Sequence, residues 1–112
     1  MKTLLRIITV FFLFGALVSC SSTNDFTTMC GYFDDLEKEL QTKELSPDQK
    51  FTFINDKVIN NLAEGSAARE SWNAIVGYVK VEGRYALFKS AAEATIKSDW
   101  HCDSMRVLLK DI

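Results

Sequence analysis

The sequence predicts an all-α fold, a small bundle of four to five short helices. Two observations predict it: apolar residues recur at helical spacing from residue 29 onward, and no segment shows a convincing strand pattern. With 112 residues, 47% of them hydrophobic, the chain can build one small domain and has enough apolar side chains for a core. We therefore expect one folded helical domain rather than a disordered chain.

The first predicted helix runs from residue 29 to roughly residue 43. Its apolar positions are spaced by four, three and four residues, which places them on one face: Met29, Phe33, Leu36 and Leu40. The opposite face carries an acidic cluster of Asp34, Asp35, Glu37 and Glu39. Because adjacent carboxylates diverge around a helix, we interpret this cluster as a solvated face rather than as a cation site.

The second predicted helix covers residues 47–64 and has the clearest local signal. Ser46, Pro47 and Gln49 have the spacing of a capping box with proline at the first helical position. The apolar stripe that follows comprises Phe51, Ile54, Val58, Ile59 and Leu62. Gly65 stands where a left-handed cap would end this helix, and the next residue is a serine that can cap a third helix directly.

Three further helices are predicted in the second half of the chain. The third covers residues 67 to about 81, although its last four residues have strand-like propensity. Gly83 is expected to break the chain before a fourth helix over residues 84–97, and Ser98 or Asp99 is expected to cap a short fifth helix. The three apolar stripes are Trp72, Ile75, Val76 and Val79; Tyr85, Phe88, Ala92 and Ile96; and Trp100, Cys102, Met105 and Leu109.

The N-terminal segment has the order of features that is typical of a secretory signal peptide. Lys2 and Arg6 supply the positive charges, and residues 7–14 are almost wholly apolar. A transmembrane anchor is the alternative. Even counted from residue 4 to 18, the segment has 15 residues and contains Arg6, whereas a membrane-spanning helix needs about 20 apolar residues.

The end of this segment, Leu17-Val18-Ser19-Cys20, resembles the lipobox of bacterial lipoproteins. The resemblance implies that Cys20 carries a diacylglyceryl group, that residues 1–19 are removed, and that the new amino group receives a fatty acid such as palmitate. It also implies a location in the cell. Inner-membrane lipoproteins typically have aspartate after the cysteine, whereas Ser21 and Ser22 follow here, so the resemblance implies the outer membrane, facing the periplasm.

This resemblance divides the chain into three parts. Residues 1–19 are the expected signal peptide, residues 20–28 the lipidated cysteine and a polar tether, and residues 29–112 a helical periplasmic domain. Two or three acyl chains hold a protein stably at a membrane, because each buried methylene group contributes about 0.8 kcal/mol. The mature protein is therefore expected to be anchored to a membrane without spanning it.

With Cys20 assigned to lipid, Cys30 and Cys102 remain as an even pair in an exported protein. We expect them to form a disulfide, so that the predicted bundle is stapled by one disulfide. A metal site that includes His101 is the alternative, but adjacent histidine and cysteine lack the spacing of zinc ligands. A redox-active pair is disfavoured because the cysteines do not form a Cys-x-x-Cys motif.

Charge and motif content disfavour several classes of function. The chain has 13 Lys and Arg residues against 15 Asp and Glu residues, and loss of Lys2 and Arg6 leaves 11 against 15, a net charge of −4. That sign repels DNA and anionic lipid surfaces. The sequence lacks the common hydrolase, metalloprotease and phosphate-loop motifs, and His101 is its single histidine. We therefore predict that the protein is not an enzyme and needs no cofactor.

The remaining hypothesis is binding. Phe53 lies off the apolar stripe of the second helix, and with Tyr32 and Tyr85 it is a candidate for an exposed aromatic patch that contacts a partner. We predict a membrane-anchored accessory or adaptor that binds another envelope protein. The alternatives are a chaperone-like or small-ligand-binding helical module in the periplasm, and an inhibitor or immunity-type protein.

Overall fold

Helices account for most of the chain in a computed structural model, which describes residues 25–112. Five α-helices and a final 3₁₀ turn follow one another, and residues 25–112 contain no strand. Their bounds are 25–39 (α1), Pro47–Asn61 (α2), Ala67–Tyr78 (α3), Val81–Ile96 (α4), Asp103–Leu108 (α5) and Leu109–Asp111 (the 3₁₀ turn). The predicted all-α fold of a few short helices is confirmed.

Helix α1 corrects the expected boundary between tether and domain. Residues 25–28 were assigned to the tether, but they are helical and Phe26 is 0% exposed. Phe26 precedes Met29 by three residues and therefore extends the same apolar face, where its ring lies 5.4 Å from that of Phe88. Burial of a phenylalanine side chain contributes about 2 kcal/mol or more, enough to draw this polar-looking segment into the helix. Residues 20–24 lie outside the described residues.

Helix α2 begins as predicted and ends earlier. The Ser46 hydroxyl accepts a hydrogen bond from the Gln49 amide at 3.2 Å, and the Ser46 amide donates to Gln49 Oε1 at 2.8 Å, which confirms the capping box. The helix ends at Asn61 because Leu62 turns to an extended conformation that buries its side chain. Gly65 has the expected positive φ of 81°, but it serves a tight turn closed by the Ser66 amide rather than a helix cap.

The corner between α3 and α4 lies three residues before the predicted one. Lys80 is extended and α4 begins at Val81, so that Gly83 lies in the first turn of the helix instead of breaking the chain. The Arg84 guanidinium explains the position of the corner, because it donates to the carbonyl oxygens of Val79 at 3.0 Å and of Ile112 at 2.9 Å. The bond to Val79, the C-cap residue of α3, satisfies a carbonyl at this helix end, and the bond to Ile112 links the start of α4 to the residue after the 3₁₀ turn.

The last helix also begins later than expected. Lys97 adopts the left-handed conformation with φ 58° and ends α4, and the chain then runs through residues 98–102 without helix. Ser98 and Asp99 cap nothing, and Cys102 holds the N-cap position of α5. We call residues 97–102 the α4–α5 connection.

The core is centred on Trp72 of α3. Its ring lies 6.0 Å from that of Phe33 on α1 and 6.0 Å from that of Phe51 on α2, and its indole N–H donates to Asn55 Oδ1 at 3.0 Å. Side chains from all five helices are fully buried around it, including Phe26, Met29, Leu36, Ile54, Val58, Ala68, Phe88, Ala92 and Met105. Within residues 25–112, none of the helices has the length and apolar character to cross a membrane.

Candidate functional site at the disulfide cleft

The predicted disulfide joins the first and last helices. Cys30 on α1 and Cys102 at the start of α5 are bonded, with an S–S distance of 2.06 Å and a Cα–Cα distance of 5.7 Å. The bridge closes a loop between residues 72 positions apart. Its two ends differ in exposure, because Cys30 is half-buried and Cys102 is 2% exposed.

Polar contacts from two other helices converge on the Cys102 end of the bridge. The Cys102 amide donates to the Tyr85 hydroxyl of α4 at 3.1 Å. The buried Ser104 hydroxyl lies 3.4 Å from Cys102 Sγ and donates to Asp34 Oδ1 of α1 at 2.6 Å. Helix α5 has only six residues, and these contacts fix it to α1 and α4 in addition to the bridge.

An open cleft of about 520 Å³ lies beside the bridge. One wall is the first half of α1, and the other is the end of α4 with the α4–α5 connection. We call it the disulfide cleft, and its lining residues are Thr27, Cys30, Gly31, Asp34, Ile96, Asp99, Trp100 and His101. Cys30 is therefore at the cleft surface, whereas Cys102 is not among the residues that line it.

Two hydrogen bonds to the backbone of Trp100 hold the second wall in place. Glu93 Oε2 accepts from the Trp100 amide at 3.2 Å, and Lys89 Nζ donates to the Trp100 carbonyl at 2.6 Å. Lys89 and Glu93 also form an ion pair at 3.0 Å. The hydrogen bond from Lys89, with that from the Trp100 amide, lowers the pKa of Glu93, and the same pairing raises the pKa of Lys89.

The charged groups of the cleft are mainly acidic. Asp34 and Asp99 are exposed carboxylates on opposite walls. His101 Nε2 lies 2.7 Å from Asp103 Oδ1, and both side chains are mostly exposed to solvent. Asp99 lies near enough to Lys89 to contribute to the raised pKa of Lys89. The positive charge of Lys89 is, however, paired with Glu93. A cation would therefore enter this cleft more favourably than an anion.

The cleft brings a histidine and carboxylates together without assembling a recognisable catalytic arrangement. The buried Ser104 directs its hydroxyl proton to Asp34, so this bond braces α5 against α1. The His101 imidazole contacts Asp103, which is equally exposed. In the described part of the chain, no group of three or more histidine, cysteine or acidic side chains is arranged to hold a metal ion.

The predicted aromatic patch is not assembled as expected. Tyr32 is only 9% exposed, and Phe53 and Tyr85 are half-buried. Tyr32 and Phe53 lie on either side of Lys57, whose Nζ is 5.8 Å and 5.1 Å from the two ring centroids. Tyr85 lies elsewhere, with its ring 6.2 Å from that of Trp100. The expectation of one exposed patch was therefore wrong.

The reason for the error is that α1 packs against more than one neighbour. Tyr32 and Phe33 are adjacent in sequence and both are buried, so the buried face of α1 is wider than a single stripe. Burial raises the pKa of the Tyr32 phenol, and a hydrogen bond with Asn61 partly opposes that shift. Tyr32 and Phe53 thus form part of the contact between α1 and α2.

The structure exposes a different set of large apolar side chains. Tyr78 is 93% exposed, and three others are about half exposed: Ile59, Leu87 and Val107. The exposure of Tyr78 was not predicted, because the sequence pattern predicts that α3 continues to about residue 81. Since Tyr78 is the last residue of the helix, no following turn covers its ring.

The comparisons with known proteins add no functional residue to this description. The chain matches no protein-family model, no curated protein and no solved structure. The expected lipid site, Cys20, lies outside the described residues. The disulfide cleft therefore stands as a candidate site on its geometry alone.

Proposed function

We propose that the protein is a lipid-anchored envelope lipoprotein whose helical domain binds another envelope protein as a non-catalytic accessory or adaptor. The observation that carries this proposal is Cys20, which closes a lipobox-like sequence at the end of an apolar segment preceded by two basic residues. The Cys30–Cys102 disulfide supports it, because such bridges form and persist in exported proteins.

The distance between lipid and domain restricts the choice of partner. Helix α1 is present by residue 25, five positions after Cys20, and five residues span at most about 18 Å. A domain held so close to the headgroups meets proteins of the same membrane more readily than distant ones. Ser21 follows Cys20 in place of the aspartate that is typical of inner-membrane lipoproteins. By this resemblance, the proposed membrane is the outer membrane, on its periplasmic side.

Binding through the surface is supported by the exposed aromatic side chain of Tyr78. Single exposed apolar residues are common on soluble proteins, but tyrosine is enriched among the residues that dominate protein interfaces. Tyr78 is the last residue of α3, and its side chain is 93% exposed. Phe53, which is half-buried beside Lys57, is a second position at which a partner can be sought.

The anchor is tested by intact mass of the protein from its native membrane, before and after reduction and alkylation. We expect the mass of residues 20–112 plus acyl groups, with two alkylations appearing only after reduction. The control is Cys20→Ala, which removes the acceptor of the lipid. An unlipidated mass for the wild-type protein contradicts the anchor.

The partner is tested by crosslinking in intact envelopes. A photo-crosslinking amino acid is placed at Tyr78, at Phe53 and, as an exposed control on α2, at Asn60. We expect a defined protein adduct at position 78 or 53 that is absent at position 60 and is weakened by Cys20→Ala. Equal background adducts at all three positions contradict an adaptor role.

A further inference from the structure

The two cysteines of the bridge differ in their exposure to solvent. Cys30 is half-buried and lines the disulfide cleft, whereas Cys102 is 2% exposed and lies behind it. Thiol–disulfide exchange depends on which sulfur an incoming thiolate can reach. The attacking sulfur approaches one bridge sulfur while the other leaves, so the cleft admits attack at Cys30 with Cys102 as the leaving group.

Helix α5 has contacts that do not depend on the bridge. The Cys102 amide bonds to the Tyr85 hydroxyl, and the Ser104 hydroxyl bonds to Asp34. On α5 itself, Met105 is fully buried and Leu108 is 7% exposed. Opening the S–S bond therefore leaves α5 attached to α1 and α4, so that reduction does not require the domain to unfold first.

The charges at the cleft select among thiols. Asp34 and Asp99 lie on opposite walls, and the imidazole of His101 is paired with Asp103 rather than free in the cleft. An approaching thiolate is an anion, and these carboxylates repel it unless the molecule that carries it also brings positive charge. The favoured reactant is thus a thiol borne on a cationic group.

From these observations we propose that the Cys30–Cys102 bridge is a thiol-exchange site that is opened in the folded protein by a thiolate attacking Cys30 from the cleft, with preference for a cationic dithiol partner. The proposal goes beyond the adaptor function and does not depend on it. The bridge lacks the Cys-x-x-Cys arrangement that is typical of disulfide oxidoreductases.

The chemistry balances with a dithiol as the reductant. The first thiolate attacks Cys30 Sγ, the Cys30–Cys102 bond breaks, and the electron pair leaves on Cys102 Sγ, which takes up a proton. The second thiolate of the partner then attacks the partner's own sulfur in the mixed disulfide and releases Cys30, which is also protonated. The partner becomes a disulfide, and the protein gains two thiols.

The first test separates opening in the folded state from opening through unfolding. The mature protein in detergent is reduced with dithiothreitol at 0 to about 1 M urea, and free thiols are counted over time. If reduction required global unfolding, the rate would rise by about fivefold or more per molar urea, because urea favours unfolding in proportion to the surface exposed. We expect a rate that is unchanged within about twofold, and the steep dependence overturns the proposal.

The second test locates the attack. The bridge is opened with an excess of a monothiol, the reaction is stopped with acid, and the mixed disulfide is assigned by peptide mass. We expect the adduct on Cys30, since this residue lines the cleft and Cys102 does not. An adduct mainly on Cys102 overturns the proposed direction of attack.

The third test measures the charge preference with cysteamine and 2-mercaptoethanesulfonate. Each rate is divided by the rate of the same thiolate with hydroxyethyl disulfide, which removes intrinsic differences between the thiols. We expect cysteamine to be favoured by about threefold or more at low salt, and the ratio to approach one near 1 M salt, where charges are screened.

A matched pair of variants assigns this preference to the cleft. Asp99→Asn removes one of the cleft carboxylates, and Asp56→Asn makes the same change at an exposed position on α2 outside the cleft. We expect Asp99→Asn to lower the cysteamine preference and Asp56→Asn to leave it near the wild-type value. Equal effects of the two variants, or no preference in the wild-type protein, contradict selection of a cationic partner.

Discussion

The turn between α2 and α3 and the α4–α5 connection both link two helices, but different interactions hold them. The first is local: Gly65 supplies the positive φ of the turn, and Arg69 donates to the Leu62 carbonyl seven residues away. The second also depends on distant side chains, because the Tyr85 hydroxyl holds the Cys102 amide from 17 positions away. Asp34 in turn holds Ser104 of α5 from 70 positions away. Local interactions can be recognised in a sequence, whereas distant ones require the fold.

Trp72 lies in α3, after the α2–α3 turn, and it tests whether this region is held by local interactions alone. Although it belongs to α3, its indole contacts rings on both α1 and α2, so we expect Trp72→Ala to lower the free energy of unfolding by about 3–5 kcal/mol. Trp72→Phe keeps an aromatic ring and loses the hydrogen bond to Asn55, and should cost less than half as much. Urea denaturation of both variants provides the measurement. Equal losses would show that the ring packing contributes little.

The disulfide gives the corresponding test of the second region. Cys30→Ala combined with Cys102→Ala opens a loop of 72 positions, and the chain-entropy estimate for such a loop is about 4 kcal/mol at most. We expect a loss of about 2–4 kcal/mol in urea denaturation, with helical circular dichroism retained because Ser104 and Tyr85 still hold α5. Reduced wild-type protein should show the same stability as the double variant. A large loss of helix in the double variant would mean that α5 is held by the bridge alone.

These regions also explain what could be predicted from the sequence. The capping box, the helical stripes and the pairing of Cys30 with Cys102 were recognised, because each follows from residue spacing or from an even count of cysteines. The start of α1 was missed because Phe26 is isolated among polar residues, and only its contact with Phe88 shows that it is buried.

The errors in the α4–α5 connection have the same cause. Ser98 and Asp99 are good capping residues, but the Glu93 carboxylate binds the Trp100 amide and the Tyr85 hydroxyl binds the Cys102 amide, which keeps the segment from becoming helical. The disulfide cleft was missed for a related reason, because its two walls are brought together by the bridge and by packing between α1 and α4. Neither of these contacts can be inferred from the spacing of residues in the sequence.

The capping box provides a smaller and more local test. Ser46→Ala removes the acceptor for the Gln49 amide, and we expect a loss of about 1 kcal/mol in the free energy of unfolding. Ser66→Ala is the matched control, because Ser66 also holds an N-cap position but its hydroxyl makes no hydrogen bond. Thermal or urea denaturation should therefore show a loss for the first variant and little change for the second. Equal losses would contradict the assignment of the α2 cap as the stabilising one.

The smallest expected effect is a pH dependence that arises in the α4–α5 connection. Hydrogen bonds from Lys89 and the Trp100 amide lower the pKa of Glu93 below its usual value of 4.5. Its folded-state pKa is thus lower than its unfolded-state pKa, so its contribution to stability is present above about pH 4.5 and is lost as the pH falls through the folded-state value. Glu93→Gln should therefore destabilise the protein at neutral pH, and the difference from wild type should shrink below about pH 4.

Thermal denaturation between about pH 3 and 7 measures this difference, with Glu37→Gln on the exposed face of α1 as the control. Since Glu93 binds both Lys89 and the Trp100 backbone, its protonation should loosen the second wall of the cleft before it affects the α2–α3 turn. Amide hydrogen exchange at Trp100 should then increase at low pH ahead of exchange at Ser66, whose amide closes that turn. Simultaneous loss of protection at both amides would show instead that the two regions open together, and the contrast between local and distant stabilisation would not extend to their dynamics.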